Sequence, residues 1–493
     1  MYHEHPLKIL RFSMKNIWLL IFPLLRGLSV MHFDAAGVYT WLKGAWFDIL
    51  VLGLILLFGY VRWYYSYVDI TEHSIVHTEG VFIRVRTAIP LNSVSVATVE
   101  RPLLMIPFNG IRMSIDTRAG ILKRTDMKLL VTGKVCAGII SHIPDVDDKR
   151  KTEGISRPTL ASILLFSVFF SSSFSGVVYI AAFFIKGGDI AHDIITLSLS
   201  KITETTELLP SKIVQKIPAA ALAAGMLFIA AWTLSFIINI IRYSRFRMKC
   251  DDRRINVSCG VINRREYRIN SEHINYTDLR QNLIMKLFGV VTVNISCAGY
   301  GSESQYLPVL LPIRMEKDLG RELEKLGVFS GGKMDIVPRK AGLMNYIWLP
   351  VIATVSLFPA GDFLAGLFPK FAELIRFTAI MLEIPSIWMV AVKTVALMTS
   401  GVSLYDDRIM VRCSKWTAFH TVVADLDNIV KIDIQQSLFQ LLNGRCSVHL
   451  WMCGEMSTRY IVRSITLEDA MKISKVLDYR LHEKVKCRKN KKK

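Results

Sequence analysis

Hydrophobic and polar positions along this chain vary on two scales. On the long scale, runs of about 20 apolar residues, enough for a helix to cross roughly 30 Å of hydrocarbon, recur six times and in pairs. They lie near Asn16 to Phe33 and Gly44 to Tyr64, Thr159 to Ile185 and Pro218 to Ile241, and Met344 to Phe368 and Leu374 to Thr399. On the short scale, the stretches between the pairs alternate with a period of two, as half-buried strands do. The pattern predicts a multi-pass α-helical membrane protein, with six transmembrane helices in three hairpins and three strand-rich polar domains. The boundaries fall at 1–64 for the first hairpin, 65–157 for the first domain and 158–242 for the second hairpin, with an outer segment at 187–217. The second domain takes 243–340, the third hairpin 341–399 and the third domain 400–483, ahead of a polybasic tail at 484–493. Arg26 interrupts the first span. Pro359 and Asp362 predict a shortened or re-entrant fifth span, and Pro385 predicts a kink in the sixth.

The polar regions repeat. "TEHSIVHTEGVFIRVRTAIP" at 71–90 is matched 180 residues later by "DDRRINVSCGVINRREYRIN", which sets Ile75, Gly80, Arg84 and Ile89 over Ile255, Gly260, Arg264 and Ile269. The ungapped match runs on through Leu103, Phe108 and Ile115, over Leu283, Phe288 and Ile295. In the third copy "QSLFQLLNGRCSVHL" from Gln436 sits over "QNLIMKLFGVVTVNI" from Gln281 at an offset of 155; upstream, "YDDRIMVRCSKW" parallels "DDRRINVSCGVI", with Ser414 and Ala418 in place of Gly260 and Arg264. Each copy reads as a small antiparallel sheet, with a glycine supplying the first turn, closed by a terminal helix. That helix is expected from Pro312 to Gly327 in the second copy. In the third it is capped by Thr466, with Asp469 at the third helical position and Ala470, Ile473, Val476 and Leu477 on one face.

Two membrane helices, then Ile-x4-Gly-x3-Arg-x4-Ile, then a Phe-Gly-like turn and a closing helix: this order resembles the bacterial pleckstrin-homology-like membrane-flanked domain proteins, the bPH2 family. The triplication is similar to the YdbT-like members of that family. The resemblance covers nearly the whole chain and implies three PH-like domains, each a seven-stranded, partly open β-barrel capped by a helix. It also implies a bacterial cytoplasmic-membrane location and a small companion membrane protein with one PH-like domain. It brings no catalytic residues.

Charge sharpens the topology. The formal net charge is +20, from 61 Lys and Arg against 41 Asp and Glu, and the mean hydropathy is +0.35. Such a charge raises nucleic acid as a partner, but its placement argues against it. Only Lys43, Lys186, Lys201, Lys212, Lys216, Lys370 and Arg376 fall on or beside the outer connections; the rest lie in the polar regions, at membrane exits and in the tail. The positive-inside tendency then puts both termini and all three polar domains in the cytoplasm. Basic clusters at the exits read as contacts with anionic membrane lipids, and no nucleic-acid motif accompanies them. All eight cysteines fall in the regions assigned to the reducing interior, and none forms a CxxC pair.

Candidate chemistry is sparse. Arg84, Arg86, Arg264 and Arg265 follow the first turn of two copies and suit lipid phosphate, the bland alternative being solvated strand residues. Arg26, Asp48, Glu383 and Lys393 lie within the spans, as structural pairs or as an intramembrane polar path. His73 and His77 are four apart on a strand-and-turn pattern with no acidic third ligand, so no metal is expected, and His3 and His5 read as exposed tail residues. No nucleophile elbow, P-loop or zinc-protease signature occurs, and no cofactor is expected. The chain is expected to be a non-enzymatic membrane scaffold, serving envelope maintenance or resistance to antimicrobial peptides. A six-helix transporter or export component is the alternative.

Overall fold

The computed structural model of the chain describes residues 2–13, 35–118, 125–143, 154–156, 158–170, 219–251, 254–297, 309–316, 319, 334–338, 342–405, 407–454 and 457–476. After helix α1 (Ala35–Tyr64), the first polar region forms β2 (Tyr67–Ile70), β3 (Ser74–Glu79) and β4 (Val85–Pro90), with β1 (Tyr2–His3) added beside β2. It continues as β5 (Val94–Pro102), β6 (Gly110–Thr117) and β7 (Met127–Thr132), closed by α2 (Gly133–His142). Next come β8 (Gly154–Ser156), α3 (Leu160–Phe170) and α4 (Ala219–Tyr243), with Phe166 of α3 edge-on to Tyr243 of α4 at 4.6 Å. The second region comprises β9 (Arg247–Asp251), β10 (Arg254–Cys259), β11 (Asn263–Asn270), β12 (Ile274–Asn282), the short α5 (Leu283–Leu287), β13 (Val290–Cys297) and β14 (Val309–Met315). A helical pair follows, α6 (Leu343–Leu367) and α7 (Ala372–Thr399). The third region forms β15 (Gly401–Leu404), β16 (Arg408–Lys415), β17 (Ala418–Asp425), β18 (Ile429–Gln435), α8 (Leu438–Leu442), β19 (Arg445–Met452) and β20 (Thr458–Thr466), and ends in a helix over 467–476.

The chain divides into two compact units, Met1–Ile155 with Arg247–His273 and Cys297–Tyr306, and Ser156–Phe246 with Ile274–Ser296 and Leu307–Lys493. The cut passes through the second polar region. In the first unit, β1-β2-β3-β4 form one sheet and β7-β6-β5-β11-β10-β9-β8 another, so the first half of region two extends the second sheet of region one. In the second unit, β14-β13-β12-β17-β16-β15 form a sheet, and β18-β19-β20 a smaller one. The expected barrels are thus not closed one by one. Among the described residues the first polar region supplies seven strands, counting the short β8, the other two supply six each, and neighbouring regions share sheets.

Alternation along the strands builds the cores. In the first unit Ile111, Met113 and Ile115 on β6 and Met127, Leu129 and Val131 on β7 point inward to meet Ile75, Ile89 and, from α2, Cys136 and Ile139. In the second, Val402, Val411 and Val422 meet Val448, Leu450 and Val462, with Ala470 and Ile473 of the closing helix on top. The Thr466–Asp469 capping pair is formed, Asp469 N donating to Thr466 Oγ1 at 3.3 Å. His3 is exposed as expected, but His5 is not: it is buried with its Nε2 2.8 Å from Phe108 O, and Glu4 lies buried against Lys8, Ser66 and His77, stitching the amino-terminal segment to the first region.

Three expectations require correction. First, two helices and not six are long and apolar enough to cross a membrane among the described residues, Leu343–Leu367 and Pro369–Thr399; α1 and α4 contribute shorter apolar stretches, Ile49–Tyr64 and Leu227–Tyr243. Four β-sheets dominate the rest. Both α1 and α4 are unbroken, but a span also requires the apolar stretch itself to cover the hydrocarbon, and these two are shorter than the roughly 20 residues that takes. The first expected span (16–33), the outer segment 187–217 and the tail 484–493 lie outside the described residues. Second, α6 is neither shortened nor re-entrant: it runs through Pro350, Pro359 and Asp362. Third, Pro312 does not begin a helix but lies in β14. The backbone before it was free to pair with β13, and local composition did not show that partner.

Candidate membrane-facing rim and module junctions

Strand register fixes where each module meets its preceding helix. The chain leaves α1 at Tyr64, and Tyr67 already stands opposite Thr78, beside the turn between β3 and β4. After α4 ends at Tyr243, Arg247 stands opposite Ser258, next to the β10–β11 turn. After α7 ends at Thr399, Gly401 pairs with Arg412 near the β16–β17 turn. Lys393 of α7 ties that last turn down, its Nζ donating to Trp416 O at 3.0 Å and Ser414 Oγ at 3.2 Å. So in every module the same hairpin tip is brought to the helix-exit end of the strands.

Those tips are apolar and exposed: Phe82 and Ile83 in the first module (88% and 79%), Val261 and Ile262 in the second, Trp416 in the third (79%). Their backbones require the left-handed region. Gly80 has φ of 113°, and a Cβ there would meet Ile83 O at 2.0 Å; in the third module Trp416 itself takes φ of 54°. A second apolar element lies alongside. Pairing of Asn263 with Pro102 sets the second tip against Leu103, Ile106 and Phe108, and pairing of Ala418 with Asn282 sets the third tip against Leu287 and Phe288, all exposed. Each such element ends at one repeated left-handed position, Asn109, Gly289 and Gly444 with φ of 54°, 61° and 60°. Asn282 and Ser437 also correspond, each capping its short helix by accepting from a backbone amide, Met285 N or Gln440 N.

The four candidate arginines separate into two roles. Arg84 and Arg86 are exposed beside the first tip, Arg84 lying 5.5 Å from the centroid of Tyr65 at the helix exit. Arg264 is exposed and paired with Glu266 at 3.0 Å. Arg265 is buried in the β5·β11 junction, its Nε 2.9 Å from Glu100 Oε1, with Arg112 3.4 Å from the other carboxylate oxygen. The β12·β17 junction holds a counterpart, buried His420 with Nδ1 2.8 Å from Asp278 Oδ2. Aligning the two junction registers corrects the third-copy match. The β16–β17 hairpin carries one more residue than the β10–β11 hairpin, so Phe419 and His420, and not Ala418, stand where Arg264 and Arg265 stand. Sequence reasoning missed Glu100, Asp278 and His420 because their pairing spans 142 residues or more.

The charges of the spans do not come together as one path among the described residues. Arg26 and the side chain of Asp48 lie outside them. Glu383 and Lys393 sit on α7 about 15 Å apart along the axis at 1.5 Å per residue, and Lys393 is spent on the β16–β17 turn. At the opposite end of the hairpin, Arg376 pairs with Asp362 at 3.2 Å; between them, Thr354 and Ser386 hydroxyls bridge the helices at 2.7 Å. His73 is exposed and His77 buried beside Glu4 and Ser66. His73 lies in the bend before β3 and His77 within the strand, so the two do not share a helical face.

With the geometry in place, comparison with known proteins is informative. The family described as "Bacterial PH domain" matches residues 24–137 and 196–323, segments that cover most of the first module and most of the second. A curated relative, the UPF0699 transmembrane protein YdbT of Bacillus subtilis (strain 168), is 33% identical over 96 residues, 19% of this chain and 19% of that protein. The match therefore spans about a fifth of the relative's length. No solved structure matches the chain. The two matched segments are of the bacterial PH-domain family, bPH2, and with the relative they support a YdbT-like family for the chain. The matched segments are PH-like, and the described residues include two helices long and apolar enough to cross a membrane.

Proposed function

We propose that the chain is a non-enzymatic scaffold that holds three PH-like modules down on the cytoplasmic leaflet, with their apolar tips in the lipid interface and Arg84, Arg86 and Arg264 on anionic headgroups. The observation that carries this reading is the placement of an exposed apolar tip at the helix-exit end of every module. No more than 17% of either long apolar window is buried by protein, so lipid is the natural solvent for the α6–α7 hairpin. Where that hairpin ends, Trp416 lies at headgroup depth, as aromatic rings prefer. Moving a Phe or Ile tip out of water is worth about 1.5–3 kcal/mol, and each arginine near an anionic leaflet adds about 1 kcal/mol. Several weak contacts, one tip from each module, hold the modules to the lipid surface.

The physiological setting that fits is a bacterial cytoplasmic membrane, with both termini inside. The small companion membrane protein implied by the family resemblance is a further partner of this scaffold. Envelope maintenance or resistance to membrane-active peptides is the proposed role. The test uses the full chain with Cys453 and Cys487 replaced by serine and a nitrobenzoxadiazole label at Phe82→Cys or Trp416→Cys. In vesicles of phosphatidylcholine and phosphatidylglycerol, both labels should emit in the blue-shifted range of the interface and be quenched by lipids brominated near the headgroup. A label at exposed Ser141→Cys should remain water-like. Water-like, unquenched emission from both tips would overturn the proposal.

A further inference from the structure

The two junctions between modules are built by one rule. At the first, β11 of module two pairs antiparallel with β5 of module one, from Asn263↔Pro102 to Ile269↔Val96. At the second, β17 of module three pairs with β12 of module two, from Ala418↔Asn282 to Ala424↔Tyr276. Shifting the first set by the repeat spacings of 180 and 155 reproduces the second pair for pair, all seven of them. In each module, then, the third strand is an acceptor edge for the module before, and the fourth strand is a donor edge for the module after.

The rule leaves two strands without a neighbour of this kind among the described residues. β4 is the third strand of the first module and stands last in its sheet; β18 is the fourth strand of the third module and stands last in its own. Both have kept the form of the strands that do pair. β18 shares with β5 a register irregularity at the same repeat position, next to Val430 and Ser95, which is where the junction ladder of β5 stops. Asp433 on β18 occupies the position of Asp278, which receives His420 in the second junction. On β4, Val85 and Arg86 are exposed and Pro90 stands at the far end, opposite Val430 once the rule is applied, so the strand-breaking features of both edges fall outside the ladder.

We infer that a second copy of this chain docks here, its β18 adding antiparallel to β4 in the register of the internal junctions, so that chains associate head to tail. Applying the spacings sets Val85 opposite Gln435, Arg86 opposite Ile434, Thr87 opposite Asp433 and Ala88 opposite Ile432. The partner is a second copy because this chain carries both complementary edges, and the contact continues an interface it already makes twice. Such a contact is heterologous, and repeated it yields a ring or a row of copies on the membrane. Strand addition supplies main-chain hydrogen bonds and fixes the register. The inference does not depend on the lipid contacts of the rim.

The experiment is a register-specific cross-link in native membranes. Two full-length copies with different tags are co-expressed, both with Cys453 and Cys487 changed to serine, one with Thr87→Cys and the other with Asp433→Cys. Directly opposed residues on antiparallel strands lie about 4.5–5.5 Å apart at Cα, within disulfide range. Mild oxidation should therefore link the two tags. Moving one cysteine to Arg86→Cys or Ala88→Cys should cut the yield several-fold. The unsubstituted protein in mild detergent should run as more than one copy, by mass. A monomeric protein with no cross-link, equal yield at all three positions, or capture of a smaller companion protein on β4 in place of a second chain would each overturn the inference.

Discussion

Glu4 shows how much one side chain sets. Burial by itself would raise its carboxyl, but the hydrogen bond with His77 and the Lys8 ammonium, with Ser66 beside them, outweigh burial and hold it at about 2. Its Oε1 also accepts from Leu130 N at 3.1 Å, so the carboxylate joins the amino terminus to β7. The folded value lies below the ordinary 4.5, so the stabilisation is complete above about pH 4.5 and is lost as pH falls toward about 2. Its size is on the order of 3 kcal/mol. Glu4→Gln should lower the urea midpoint of the detergent-solubilised protein at pH 7, and the gap to the unsubstituted protein should close between pH 4.5 and 2. A gap that stayed constant across that range would refute the assignment. None of this was legible beforehand, because Glu4 and His77 are 73 residues apart. Arg265 has the same lesson. Its neighbours mark it as a phosphate ligand like Arg264, and only the strand arriving from the preceding module shows it as the buried partner of Glu100. There the charge pair fixes register more than it adds stability, since a slip of one residue would leave Arg265 buried without its carboxylate.

Elements were more legible than partners. The Gly80 and Gly260 turns, the closing helix at Thr466 and the strands between them follow from spacing and turn chemistry alone, which act within a few residues. The short helices of the rim were half visible: Gly289 and Gly444 mark their ends, and Asn109 stands in their place because asparagine tolerates the left-handed region. What hydropathy misjudged was the number of spans: among the described residues α1 and α4 are unbroken, yet only Ile49–Tyr64 and Leu227–Tyr243 of them are apolar stretches, shorter than a span needs. The α6–α7 hairpin depends on close approach. A Cβ on Gly361 would lie 2.7 Å from Ala379 Cβ, so α6 and α7 touch there with no side chain between them. Gly361→Leu should force the helices apart and break the Thr354–Ser386 bridge. Expected outcomes are a lower melting temperature in detergent and faster protease cleavage around 369–371, with Gly361→Ala intermediate. Unchanged cleavage in the leucine variant would contradict this packing.

At the scale of the whole molecule, the repeat read from sequence is real, but its units of folding are not its units of sequence. Residues 243–340 look like one domain because duplication copied them as one block; in the fold β9–β11 complete a sheet begun by β5–β7, and β12–β14 begin one completed by β15–β17. A fragment of 243–340 should therefore fail to fold alone, with little protection of its amides from exchange, while the same strands in the full chain are protected. A stably folded fragment would show the shared sheets to be dispensable.

The repeated junction also bears on how such a chain can vary. Because every internal seam uses the same third and fourth strands, adding or deleting one whole copy leaves the two terminal strands as they were. The number of modules can then change in a single duplication or loss without inventing a new contact surface, whereas a break inside a copy strands half a sheet on either side. Length in this lineage is quantised by the seam.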